Sequence, residues 1–206
     1  MISTTKTMKT LIILLLLCPL AMWAKFYPGT VTMNDGSTKS GYIDPPVWDS
    51  NKVSFKPTQK GKTEKIEIEN VKEISYTADG KTMKVLTLIL AQPRNFSSEY
   101  KIEKDKSWVL VEKAGKGLNL VSAYENGVNG AGWGFYVHKP GEDMAKFIFM
   151  KHDDATFMMM KYKFIEPFIK RNFEKDCPEM VKAFTKELFD EKGVTVVVDL
   201  YDQYCN

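Results

Sequence analysis

The chain has 206 residues, 44% of them hydrophobic and 12% aromatic, enough to bury a full core without leaning on metals or many disulfides. Its formal net charge is +3, and Lys6 and Lys9 supply two of those charges, leaving +1 for the remainder. A balance so near neutral excludes nucleic acid as the main partner, because a phosphate backbone calls for a basic face.

Residues 1–24 read as a secretory signal peptide. Lys6 and Lys9 precede an unbroken apolar run, Leu11 to Leu17, and the segment closes on small residues at Ala21 and Ala24. The run is shorter than the roughly 20 apolar residues of a permanent span. Cys18 follows Leu17, which is too large for a lipidation site. Met8 offers an alternative start, and both cleavage and retention of the leader remain open. The expected location is the periplasm or the extracellular space, with envelope association allowed. No permanent membrane span is expected after cleavage.

Residues 25–156 read as an antiparallel β domain, a curled sheet or open barrel. Short runs rich in Val, Ile, Thr, Tyr and Phe are punctuated by turn residues. The strands expected are Tyr27–Met33, Thr38–Ile43, Lys52–Lys56, Lys65–Ile68, Val71–Thr77 and Met83–Leu90, with Asp35-Gly36 and Asp79-Gly80 as hairpin turns. A second set comprises Glu99–Lys104, Ser107–Lys113, Leu118–Tyr124, Trp133–His138 and Lys146–Lys151. A joint near residues 91–97, at Pro93, would separate the two sets. Whether they share one core stays open at this point.

Residues 157–206 form a C-terminal helical segment, which makes the fold class α+β. Phe164 and Phe168, and Ile165 and Ile169, recur at helical spacing. Pro167 is tolerated only in a first turn, so this helix is expected from Glu166 to Lys175. Asp176 caps a second helix with Pro178 in its first turn and Met180, Val181, Phe184 and Leu188 on its apolar face. Asp190 to Gly193 ends it. Val194 to Asn206 has strand propensity in its three valines, yet Val197, Leu200, Tyr201 and Tyr204 follow a helical period, with Thr195 as cap. Two antiparallel helices of similar length would bring Cys205 beside Cys177. These are the two cysteines outside the leader, and an even pair in an oxidising compartment predicts a disulfide.

The Asp176-Cys177-Pro178-Glu179-Met180 start and the Leu200-Tyr201-Asp202-Gln203-Tyr204-Cys205 ending resemble uncharacterised secreted proteins of Bacteroidota-type bacteria. The β segments Gly29-Thr30-Val31, Gly41-Tyr42-Ile43, Val53-Ser54-Phe55 and Ile74-Ser75-Tyr76 are similar to theirs. Asp202-Gln203 departs from the asparagine of that group. The resemblance implies an exported β domain with a C-terminal tail and implies no chemistry.

No catalytic constellation stands out. The chain lacks Gly-x-Ser-x-Gly. His138 reads as a strand end. His152-Asp153-Asp154 is the best metal candidate, but three consecutive residues cannot surround one ion, so no metal or cofactor is expected. Gly127, Gly130, Gly132 and Gly134 read as a hairpin rather than a phosphate cradle, since no helix follows. Met158-Met159-Met160 reads as an apolar joint between sheet and helices. Trp48, Trp108 and Trp133 are the speculative ligand contacts, each placed beside a turn or strand end. The sequence favours an exported, non-enzymatic binding or scaffolding protein whose partner is an envelope component or extracellular ligand. An envelope hydrolase or carbohydrate-acting enzyme is the alternative, and a sugar- or peptide-binding module built on those tryptophans is the second.

Overall fold

The computed structural model describes residues 25–94, 99–127, 130–152 and 161–205. The leader, Asp153-Asp154 and the three methionines at 158–160 lie outside them. Ten strands form one sheet: β1 Tyr27–Met33, β2 Thr38–Asp44, β3 Lys52–Lys56, β4 Glu64–Glu67, β5 Val71–Ala78, β6 Lys81–Pro93, β7 Tyr100–Ala114, β8 Asn119–Gly127, β9 Gly130–His138 and β10 Met144–His152. Their order is β10-β9-β8-β7-β6-β5-β1-β2-β3-β4, and every neighbouring pair is antiparallel.

One further pairing changes the architecture. β10 returns to β6 in parallel, with Met144, Ala145 and Lys146 opposite Ile89, Leu90 and Ala91. Strands β6 to β10 therefore close into a five-stranded barrel, and β5 and β1–β4 extend from β6 as a curled wing. Within the wing, Gly29 pairs with Gly41 at a point of close backbone approach. A Cβ at Gly41 would lie 2.2 Å from the Lys56 carbonyl oxygen, closer than any side chain allows.

Side-chain alternation distributes the two faces of β6 and β7 between two cores. Leu86, Leu88 and Leu90 on β6, Val109 on β7, Val121 and Ala123 on β8, Tyr136 on β9 and Ala145 on β10 fill the barrel interior. Val85 and Trp108 point the other way and join Val31, Ile43, Val53, Phe55, Ile66 and Ile74 beneath the wing. The stretch about Pro93 is the end of a long hairpin arm, with Pro93 opposite Tyr100 and Val85 opposite Leu110. The β6–β7 hairpin thus contributes to both cores.

Four helices cover the outer wall of the barrel at β8, β9 and β10: α1 Lys161–Phe173, α2 Pro178–Ala183, α3 Lys186–Lys192 and α4 Val196–Tyr204. Leu118, Leu120, Val137, Ile148 and Phe149 meet Ile165, Ile169, Phe173, Phe184, Phe189 and the valines of α4 in a third core. Helix α1 begins earlier than expected, and Pro167 sits inside it. An interior proline costs about 3 kcal/mol, whereas burying each of Ile165, Ile169 and Phe173 contributes about 1.5–3 kcal/mol, so the apolar stripe prevails. Pro167 and Lys163 are both exposed, so the helical bond that proline cannot donate to the Lys163 carbonyl is lost on the solvent side rather than in the core. Phe164, expected on the packed face, is exposed instead.

The second expected helix is two helices. Thr185 interrupts it and caps α3, its hydroxyl accepting from the Leu188 N–H at 3.3 Å. The cap of α2 is Cys177 rather than Asp176, and its side chain makes no capping bond. Gly193 ends α3, as the sequence suggested. A 3-10 turn over Gly193–Thr195 then leads into α4, so Thr195 is itself helical and its hydroxyl donates back to the Lys192 carbonyl (3.0 Å) instead of capping forward. Helices α2 and α4 pack together, and the Cys177 and Cys205 sulfurs stand 2.09 Å apart, at disulfide distance. No helix among the described residues is long and apolar enough to cross a membrane.

Candidate functional site

The interior rows of the barrel change character along the strands. On β6 the row Leu86, Leu88, Leu90 ends at Gln92. On β8 the row Val121, Ala123 ends at Glu125. On β7 the row Val109, Ser107 continues to Asp105 and Glu103. The deep part of each row is apolar and sealed, whereas the end residues line a cavity of about 360 Å³ at the barrel mouth. Barrel mouths are a common place for ligands, because the strands fix the outline of the site.

A bulge aims the acidic residues. Ile89 pairs with Lys106 and Ala91 pairs with Ile102, so Leu90 alone faces Glu103, Lys104 and Asp105. The extra residues bend β7 and splay its carboxylates around the opening. This corrects the sequence reading, which placed two strands here, 99–104 and 107–113. The charged Asp105-Lys106 pair looked like a break and is instead part of a 15-residue strand that bulges.

Glu125 is the most perturbed member of the site. Its Oε1 is buried without a hydrogen-bond partner. Burial pushes its carboxyl above the usual carboxylate range, a hydrogen bond with Gln92 opposes this, and the nearby Glu103 charge adds to it. Gly134 makes the room: a Cβ there would stand 2.5 Å from Glu125 Oε1. Gln92 also donates to the Tyr136 hydroxyl at 2.7 Å. Glu103 accepts from Lys101 at 3.0 Å, an ion pair on the exposed side. Asp105 is exposed.

The aromatic side of the mouth combines the tryptophans with one residue the sequence reading missed. Trp48, on the loop between β2 and β3, lines the cavity together with Tyr124 of β8. Trp133 stands behind them: it meets Trp48 edge-on at 5.1 Å and Tyr124 at 5.5 Å between ring centroids. Tyr124 and Trp133 are directly opposed cross-strand neighbours, which fixes the second contact. Trp108 is not beside a strand end. It lies midway along β7, is 0% exposed, and donates its indole N–H to the Ser50 carbonyl at 2.6 Å. That bond ties down the loop carrying Trp48. Trp133 lies within β9 rather than at its end. The three tryptophans thus take different places: Trp48 and Trp108 both line the cavity, Trp108 as a fully buried anchor, and Trp133 stands behind Trp48 as a buttress.

Other sequence candidates fall elsewhere. His138 ends β9, is buried, donates from Nε2 to the Glu142 carbonyl (2.8 Å) and accepts at Nδ1 from the Asn119 amide (3.3 Å). Both ring nitrogens are engaged, which leaves no free lone pair for a base or a metal. His152 ends β10, and the acidic pair after it is outside the described residues. Among the described residues no group of three or more His, Cys, Asp or Glu side chains is placed to hold a metal ion. Gly127 and Gly130 pair at the end of the β8–β9 hairpin.

Glu103, Asp105, Glu125 and Gln92 were not singled out in the sequence. The signal was present in the alternation, which puts Glu125 on the same face as Val121 and Ala123, and Glu103 and Asp105 in line with Ser107 and Val109. No family model, no curated protein and no solved structure matches this chain.

Proposed function

We propose that the protein is an exported, non-enzymatic binding protein of the cell envelope, which holds a small polar molecule in the mouth of its barrel. The observation that carries this reading is the cavity of about 360 Å³, walled by Trp48 and Tyr124 and edged by Glu103, Asp105 and Glu125. Aromatic faces supply contact area at small entropic cost, and a few polar groups set orientation. Export rests on the basic, apolar and small-residue pattern of residues 1–24 and is supported by the cysteine pair at disulfide distance. The resemblance to secreted proteins of Bacteroidota-type bacteria agrees with the same compartment.

The test is thermal stability of the mature protein across a panel of monosaccharides, amino acids and small amines, repeated with Trp48→Ala. A ligand that raises the melting temperature of the native protein and not of the variant supports the reading. A panel without effect on either, or with equal effect on both, overturns it.

One observation favours a catalytic reading. Glu125 is raised by burial while Glu103 is paired with Lys101, and two carboxylates in unlike surroundings can divide acid and base roles in glycoside cleavage. Turnover of aryl glycosides, abolished by Glu125→Gln, would establish it in place of simple binding.

A further inference from the structure

Resting on the reading of the barrel mouth as a binding pocket, we infer that its ligand presents an organic cation: an ammonium or guanidinium group on a short apolar stem. Four observations converge. Every charged side chain lining the cavity is acidic, and no Lys, Arg or His among the described residues lines it. Lys101 engages Glu103 from the exposed side, so Asp105 and Glu125 carry the uncompensated charge of the mouth. Glu125 Oε1 is buried with no donor, and a guest N–H would fill that vacancy. Three aromatic residues line the cavity, Trp48, Trp108 and Tyr124, and the less buried pair, Trp48 and Tyr124, offers the π faces on which a cation rests.

Hydrogen-bond polarity separates this ligand from a neutral sugar. A sugar hydroxyl both donates and accepts, and a site for it presents both kinds of group. Here the indole N–H of Trp108 is committed to the Ser50 carbonyl, and the Gln92 amide bonds to Tyr136 and Glu125; the Ser107 and Tyr124 hydroxyls can donate or accept, so acceptors outnumber donors on the lining. The carboxylates only accept. A group that only donates, as ammonium and guanidinium do, matches them. A divalent metal fits less well, since the three carboxylates do not form a metal-holding group. The cavity volume suits a side-chain-sized guest rather than an oligomer.

The experiment is calorimetric titration of the mature protein with agmatine, with butylurea, an uncharged compound on the same four-carbon stem, with glucose, and with the tripeptide Gly-Arg-Gly. Agmatine is expected to bind at least tenfold more tightly than butylurea. Glu125→Gln is expected to weaken agmatine binding at least tenfold, and Asp105→Asn, an exposed change that spares the fold, severalfold. Equal binding of agmatine and Gly-Arg-Gly points to a basic side chain of a protein partner as the natural source, and preference for agmatine points to a free amine; both support the cation. Glucose or butylurea binding as well as agmatine, with sensitivity to Trp48→Ala, overturns the cation and leaves the binding pocket standing. Silence from all four probes overturns the cation, and the thermal panel then decides the pocket independently.

Discussion

The deep barrel and its mouth are built from the same strands, with the same alternation and opposite chemistry. Leu88 and Gln92 stand four residues apart in one interior row, yet the first is sealed among apolar neighbours and the second lines a cavity beside three carboxylates. Val121 and Glu125 repeat the contrast on β8. Strand periodicity decides which face a residue takes. Whether that face becomes core or pocket is decided by closure, here the parallel return of β10 to β6, and by the bulge that opposes Leu90 to residues 103–105 of β7.

Substitutions at the two ends should therefore differ in sign as well as size. The largest effect is expected outside the barrel, at the clasp that holds its helical cover. Replacing Cys177 and Cys205 together by serine releases a link of sequence separation 28 and should cost about 3–4 kcal/mol on the chain-entropy account, read as a lower denaturation midpoint in urea. Next is Leu88→Ala in the deep interior, where Leu88 is 4% exposed; the lost contacts and the cavity left behind should cost about 2–4 kcal/mol, measured in the same way. Gly134→Ala should cost about 1–2 kcal/mol, because the new methyl displaces the Glu125 carboxylate and presses on Tyr136; ligand binding should fall with it in calorimetry.

The smallest effect is of opposite sign. Glu125 has a raised folded-state pKa, so folding takes up protons between the unfolded and folded values. The protein is then most stable below the unfolded pKa and loses that increment as pH rises through the folded one. Glu125→Gln should remove this loss and stabilise the protein at neutral pH by about 1 kcal/mol, as expected when a buried carboxylate oxygen without a partner is neutralised. The comparison is a pair of urea titrations at pH 4 and pH 8. The gain should be present at pH 8 and absent at pH 4. A loss at pH 8 would mean the carboxylate is well satisfied in the folded chain.

Much of the architecture was legible because it is local. The hairpin turns at Asp35-Gly36 and Asp79-Gly80 announce themselves, and the alternation of Ile66 and Ile68 places both in the core. The meeting of Cys177 and Cys205 followed from helix periodicity and an even count. What escaped was non-local or rested on competing terms. Nothing near Ala145 says that it pairs with Leu90, more than fifty residues earlier, and without that pairing no mouth exists. Pro167 looked like a helix start because its local cost is plain, while the burial that offsets it is tertiary. Trp108 looked like a surface candidate because the strand around it was split at Asp105-Lys106. Glu103, Asp105 and Glu125 escaped notice because nothing local says that their face of the sheet becomes the inner face of a barrel.

The most direct test of the barrel mouth as a binding site is fluorine NMR of 5-fluorotryptophan-labelled protein titrated with agmatine and with a panel of monosaccharides, the resonances assigned by single Trp→Phe variants. The account predicts that a bound ligand shifts the Trp48 resonance most, and those of the buried Trp108 and the buttressing Trp133 less. Shifts confined to other positions, or a Trp48 resonance that stays fixed through every titration, would contradict it.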